Sequence, residues 1–347
     1  MATAKLMSHS IPTAMARETA EAPAAVARML DRNRQALAEV ARLFRERNPA
    51  FIVTCARGSS DHAASYLKYL SEIALGLPCC SLGASVVSIY GAQLHLRDSI
   101  LITISQSGRS PDILSLQAEA KRAGIPTLAI TNDETSPLAR EAAICLPISA
   151  GVETSITATK TFITSAAMCA AIVASCGGGN EALSHAIASL PESLDRALAI
   201  AWDAAEEVIA PASSLYVLGR GPCFPIAQEA ALKLKESSGL HAEAYSAAEV
   251  LHGPMELVTD GFPVLVFAAD DAARETTMSA AARLSEAGAH ILMTGDSGTL
   301  RYAKTGNPHL DPLSMILTFY RSAERVARAR GRDPDHPRLL EKVTETR

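Results

Sequence analysis

The chain has 347 residues, 48% of them hydrophobic and 20% charged, with a net charge of −5. That length suits two ordinary domains with sizeable buried cores. The mildly acidic balance offers no basic field for nucleic acid, and the longest weakly polar run, Ser165 to Cys176, is too short to span a bilayer and reads as a buried helix.

Residues 1–48 carry Arg17, Glu18 and Glu21 without an apolar stretch, so they read as helices rather than a signal peptide, and a cytoplasmic protein is expected. Seven cysteines, at 55, 79, 80, 145, 169, 176 and 223, form no CxxC pair and lie mostly in apolar runs, as the small core residues of a reduced protein do. No spacing of Cys, His or Asp suggests a metal, and no cofactor is called for.

Phe51 to Cys55 is the first β-rich run, and Ser99 to Ile104 is a second. The second leads into Ser105-Gln106-Ser107-Gly108-Arg109-Ser110-Pro111, and helical spacing follows from Ile113 to Ala123. Ser110 suits an N-cap and Pro111 a first helical position, so the helix start is well marked. Free backbone N–H groups and the positive dipole end at such a start favour a dianion. Gly108 lets the backbone approach closely, and the serines add neutral donors. The loop reads as a phosphate cradle, with an ordinary capped βα loop as the plain alternative. A third strand is predicted near 127–131.

The second half predicts strands near 215–219, 263–268 and 290–294, and two landmarks relate it to the first. Phe51 to Gly58 is echoed by Leu215 to Gly221, with final glycines 163 residues apart; Lys121 to Ile130 is echoed by Leu284 to Met293, with Ala123 and Ala287 164 residues apart. Two landmarks at nearly one offset point to a duplicated α/β unit, each copy a parallel sheet flanked by helices. The expected units are residues 49–195 and 196–330, with 331–347 as a tail. Where the first unit has the serine loop, the second has Phe267-Ala268-Ala269-Asp270-Asp271, an acidic and poor phosphate site. The first half is therefore expected to hold the phosphate and the second to supply chemistry, both beyond the carboxyl ends of strands.

Gln228 to Glu236 predicts a helix ending at Gly239. Glu229, Lys233 and Glu236, spaced by four and three, share one face. By itself an alternating-sign stripe is what a solvated face carries. His241 to Tyr245 and Glu249 to Pro254 then add two histidines and two carboxylates in a short span. His252, directly before a Gly-Pro turn, is expected on a tight loop with its ring able to enter a cleft.

With these motifs in order, the chain resembles the double sugar isomerase (SIS) domain proteins, and in particular the isomerase half of the glutamine–fructose-6-phosphate amidotransferases. Ser105 to Gly108, Glu229 to Glu236, His241 to Tyr245, His252-Gly253-Pro254, and Asp333 to Arg338 with Lys342 carry the resemblance. It implies a flavodoxin-like three-layer fold and a phosphorylated sugar as ligand. The phosphate would rest on Ser105, Gln106, Ser107 and Ser110, with Ser59 or Ser60 contacting the sugar and Ile156 and Ala158 beside it. Glu236 would move a proton between C1 and C2, assisted by Lys233. His252 would open the pyranose ring from a neighbouring subunit, so a homodimer is implied, and Lys342 would contact or covalently hold the carbonyl carbon.

Such roles are chemically reasonable: one carboxylate can take a proton from one carbon and return it to the next, a histidine suits ring opening at neutral pH, and a lysine can form a Schiff base. The chain departs from the amidotransferases at three positions: Arg109 stands where they have an acidic residue, Ala158 where they have a serine, and Glu341, before the tail lysine, where they have an alanine. No glutaminase domain precedes residue 50, so release of ammonia from glutamine is not expected. The best-matched activity is a glucosamine-6-phosphate deaminase forming fructose-6-phosphate and ammonia. A fructosamine-phosphate deglycase is the second enzymic reading, and a catalytically silent sugar-phosphate sensor is the alternative of another class.

Overall fold

In the computed structural model the described residues are 12–177, 181–296 and 298–342. The outermost parts of the expected N-terminal segment (1–11) and tail (343–347) lie outside them. Three helices come first among the described residues, α1 (Ala14–Ala20), α2 (Ala22–Arg32) and α3 (Arg34–Arg47). Then follow β1 (Phe51–Cys55), α4 (Ser59–Ala74), β2 (Cys79–Ser81), α5 (Ser85–Ser88), β3 (Ser99–Ile104), α6 (Pro111–Arg122), β4 (Thr127–Thr131), α7 (Pro137–Glu141) and β5 (Ile144–Pro147). Helices α8 (Lys160–Cys176), α9 (Glu181–Ala188), α10 (Leu190–Leu198) and α11 (Asp203–Ile209) lead to the second sheet. That part comprises β6 (Ser214–Gly219), α12 (Cys223–Ser238), β7 (His241–Ser246), β8 (Pro263–Val266), α13 (Arg274–Glu286), β9 (His290–Met293) and α14 (Asp311–Ala329).

Both sheets are wholly parallel. The first runs β2-β1-β3-β4-β5 and the second β7-β6-β8-β9, the same order with one further strand on the first. Every residue of β3 is buried, as expected of a parallel strand covered on both faces. Alternation assigns the faces. Ile52 and Ile100 join Leu215 and Val217 in a central apolar cluster, while Val53 and Leu101, and separately Tyr216 and Leu218, pack into smaller clusters on the other faces. Residues of α4, α8, α12 and α14 also belong to the central cluster, so the two halves share a core. Helix α8 is buried on nearly every side, including the whole of Lys160 to Val173.

Three strands escape the sequence reading. β2 is only three residues long, β5 ends on Pro147, and both are brief outer strands. β7 is His241–Ser246, the segment read from sequence as a cluster of chemical groups; it offers only two alanines and Tyr245 among polar residues, too little apolar patterning to mark a strand. It is one of the two edge strands of the second sheet, and His241 is exposed. The predicted strands near 263–268 and 290–294 end at Val266 and Met293. Among the described residues, no helix is long and apolar enough to cross a membrane.

Candidate active site

A cavity of about 130 Å³ lies where β1, β3 and the loop before α8 converge. Arg57, Ser59 and Ser60 reach it from the β1–α4 turn, Gln106 from the loop after β3, and Glu153, Ile156 and Ala158 from the segment ahead of α8. Thr161, Phe162 and Ser165 of α8 form another wall, and Lys342 enters from the tail. Five residues expected at the sugar and phosphate, Ser59, Ser60, Gln106, Ile156 and Ala158, therefore meet Lys342.

The rest of the serine loop is placed differently. Ser105, Ser107 and Ser110 are not among the cavity walls. Ser105 is buried, and its Oγ accepts a hydrogen bond from the Gly108 N–H at 3.2 Å, so this hydroxyl shapes the turn. Gly108 has φ +62° and is packed so tightly that a Cβ would collide with the Ser136 side chain. Ser110 and Pro111 do occupy the N-cap and first turn of α6, but the Ser110 side chain makes no capping bond. Arg109 turns to the surface, donating to Asp133 at 2.7 Å.

Helix α12 carries a buried charge network rather than a solvated stripe. The Glu229 side chain is fully buried and that of Lys233 is 1% exposed. Lys233 Nζ lies 2.5 Å from Glu236 Oε2 and 3.5 Å from Glu229 Oε1. Glu229 also accepts from the Tyr320 hydroxyl at 3.0 Å, and its Oε2 is 2.8 Å from His62 Nδ1. Burial pushes the Glu229 carboxyl up, but the Lys233 charge and bonds from His62 and Ser59 outweigh it and hold it below the usual carboxylate range. Burial pulls the Lys233 amine down, and the charges of Glu229 and Glu236 outweigh that and raise it. An ionised Glu229 can only accept, so His62 Nδ1 carries the proton of that bond. Because His62 lies on α4 and Glu229 on α12, the bond ties the two halves together.

Glu236 itself faces a different opening, a neighbouring cavity of about 610 Å³ lined by tail residues including Arg332, His336 and Leu340. It does not share the small cavity with Lys342; the two are linked indirectly, since the Glu153 charge beside Lys342 is also felt by Lys233. Glu153 is the chief residue that sequence reasoning missed. Its side chain is fully buried and accepts from the N–H groups of Thr159 and Thr161 at 3.1 and 3.2 Å and from the Thr161 hydroxyl at 2.6 Å. Lys342 Nζ lies 3.4 Å from Glu153 Oε2 and also donates to the Ser155 carbonyl. No motif marks Glu153 in the sequence, because its role depends on how the chain turns into α8 and on Lys342 arriving from the tail.

The tail is fastened on several sides. Thr157 Oγ1 donates to the Pro334 carbonyl at 3.0 Å, and the Asp335 carboxylate receives the N–H groups of Ala14 and Met15 at 2.6 and 2.7 Å. His252 stands apart, exposed just after the first of two short 3₁₀ turns, Glu249–Leu251 and Pro254–Leu257. It lines neither cavity. Cys55 and Cys79 are buried, and burial pushes both thiols up to about 12, which makes them poor nucleophiles. Among the described residues, no three His, Cys, Asp or Glu side chains gather as a metal site.

The SIS domain model matches residues 47–175 and 208–299, one segment for each sheet. The chain belongs to the SIS domain family. This SIS chain is 35% identical over 311 residues to the glutamine–fructose-6-phosphate aminotransferase of Halobacterium salinarum, covering 84% of the chain and 51% of that protein. It is 33% identical over 356 residues to the Pseudomonas aeruginosa enzyme of the same name, covering 94% and 58%. The chain thus spans about half the length of the curated relatives it matches. The structure of the C-terminal domain of the Francisella tularensis aminotransferase superposes with a TM-score of 0.83 at 26% identity, covering 94% of the chain and 99% of that domain, and places the homology in the isomerase half. A Silicibacter pomeroyi protein assigned as a phosphosugar isomerase matches with a TM-score of 0.89 at 45% identity, covering 93% of this chain and 100% of that one.

Proposed function

We propose that this SIS protein is an amino-sugar phosphate isomerase, and that its reaction is deamination of glucosamine-6-phosphate to fructose-6-phosphate and ammonia. The observation that carries the reading is the convergence of the Lys342 amine with Ser59, Ser60 and Gln106 in one small polar cavity. Homology to aminotransferases described as isomerising supports the aldose–ketose step.

In this reading the open-chain sugar presents C1 and C2 to a base. Removal of the C2 proton gives an enolamine, and its return to C1 gives an imine at C2. Water adds to that imine and ammonia leaves, so one water is consumed for each ammonia formed. Glu236 is the proton carrier; its carboxylate opens on the tail-lined cavity, which requires the C1–C2 end of the sugar to extend from the small cavity toward that opening. The buried Lys233 at 2.5 Å holds that carboxylate in place. Lys342 contacts the carbonyl carbon or forms a Schiff base with it. Ring opening falls to His252 of a neighbouring subunit, consistent with its exposure in a single chain, and the working form is a homodimer in the cytoplasm.

The test is a panel of amino-sugar 6-phosphates incubated with purified protein while ammonia and fructose-6-phosphate are followed. Ammonia with stoichiometric fructose-6-phosphate from glucosamine-6-phosphate supports the assignment. Aldose–ketose interconversion without ammonia refutes deamination, and binding without any turnover refutes an enzymic role in favour of a sensor.

A further inference from the structure

The expected phosphate donors are neutral: three serines, a glutamine and backbone N–H groups at the starts of helices. A dianion drawn into a small cavity is better held where a fixed cation adds charge-assisted bonds. Two cations line the cavity, Lys342 and Arg57. Lys342 has its own carboxylate, Glu153, and the reading above assigns its amine to the carbonyl end of the substrate. The guanidinium of Arg109, within the serine loop, is directed to Asp133 instead.

Arg57 is held in an unusual way. It sits between the end of β1 and Gly58, whose φ of +53° turns the chain into α4. Its guanidinium is ion-paired to Asp112, in the first turn of α6. The Asp112 side chain is fully buried, and its second oxygen has no hydrogen-bond partner among the described residues. Arg57 is therefore the sole hydrogen-bond partner found for that carboxylate, and the pairing fixes one edge of the guanidinium. The Arg57 side chain remains 41% exposed, and it shares the cavity wall with Ser59, Ser60 and Gln106. A planar group with five donors that uses only part of them on Asp112 has donors left for an anion.

We propose that Arg57 is the charged ligand of the substrate phosphate, with Asp112 as the positioning residue that fixes its guanidinium at the mouth of the β1–α4 turn. The proposal rests on the sugar-phosphate reading above. It also distinguishes two roles for the same ion pair. If Arg57 served only to neutralise a buried aspartate, removing both partners together would leave ligand binding intact, since replacing both members of a buried pair is far less disruptive than removing one.

The experiment is calorimetric titration of the full chain with inorganic phosphate, glucosamine-6-phosphate and unphosphorylated glucosamine. Compared with wild type are Arg57→Lys, Arg57→Met and the double variant Arg57→Met/Asp112→Asn. The double variant leaves no buried charge unpaired, so it reports on binding even if Arg57→Met alone folds poorly. The expected result is a loss of phosphate and glucosamine-6-phosphate affinity on the order of 10- to 100-fold in the double variant. Glucosamine binding is unchanged, and Arg57→Lys retains part of the affinity. A double variant that binds both phosphates as tightly as wild type overturns the proposal and leaves the sugar-phosphate reading standing. Wild type that binds no phosphate probe at all overturns that reading first, and this proposal with it.

Discussion

Replacing Glu229 by Gln tests whether the charge network of α12 holds the two halves together. The substitution keeps the shape and removes the charge from a fully buried position. Breaking a buried ion pair from one side typically costs about 3–5 kcal/mol, because the remaining charge is left without compensation. Here Lys233 keeps Glu236 at 2.5 Å, so the lower end, about 3 kcal/mol, applies. That is a large fraction of the roughly 5–15 kcal/mol by which folded proteins are stable. With a urea slope of about 3 kcal/mol/M for a chain of this size, the midpoint should fall by about 1 M. The pH dependence adds a second check. The Glu229 carboxyl is held below its usual range in the folded protein, so its contribution is complete above about pH 4.5 and is lost as pH falls through the lower folded value. The wild-type advantage over Glu229→Gln should therefore be widest near neutrality and shrink on acidification. Lys233 behaves oppositely: its raised amine stabilises fully below its ordinary pKa, and that stability is lost as pH rises through the folded value. A variant within about 0.5 kcal/mol of wild type at pH 7, below the usual cost of burying an unmatched charge, would refute this account of the network.

Three other predictions follow from the site. Glu236→Gln should bind glucosamine-6-phosphate normally while turnover falls on the order of 10²–10⁴, and exchange of the C2 proton in D₂O should stop; unchanged kcat would remove Glu236 as the base. Mixing inactive Glu236→Gln and His252→Ala chains should restore some activity if the histidine works in a neighbour's site, and failure with subunit exchange confirmed would return it to its own chain. Gly108→Ala forces a Cβ against Ser136 at a backbone angle that only glycine adopts freely, and should cost about 1–3 kcal/mol in urea denaturation while weakening phosphosugar binding; a fully stable variant with normal affinity would refute the strain.

The strands and helices that sequence made legible are those whose burial writes itself into residue choice. β3 reads as a strand because four of its six residues are Ile or Leu, as covering on both faces demands, and α12 ends at Gly239 because its left-handed cap, φ +57°, favours glycine. β7 was not legible, since an edge strand with only two alanines and Tyr245 among polar residues resembles a loop rich in polar groups. The charge stripe of α12 was legible as a face but not as a buried one. Whether Glu229 and Lys233 meet water depends on α4 and α14 lying against them, and no local spacing encodes that. The same reason hid His62 and Arg57, whose partners are brought from distant elements, and Glu153, whose lysine partner comes from the tail.

Lys342 shows how far such assembly reaches. On local sequence it is a lysine near the end of a polar tail, with nothing to fix its amine. In the structure, Asp335 caps the start of α1 with two hydrogen bonds from Ala14 and Met15, a placement that also suits a carboxylate to the positive end of a helix. Glu18 of the same helix accepts hydrogen bonds from Thr154 and Ser155, in the loop whose Glu153 and Ser155 carbonyl receive the lysine. Thr157 then grips the tail at Pro334. The first described helix thus holds both the tail that carries Lys342 and the loop that receives its amine. The amine is positioned by contacts that close a ring through α1, the loop before α8 and the tail, so the reach of this lysine into the cavity is a property of the whole fold and cannot be assigned to the tail alone.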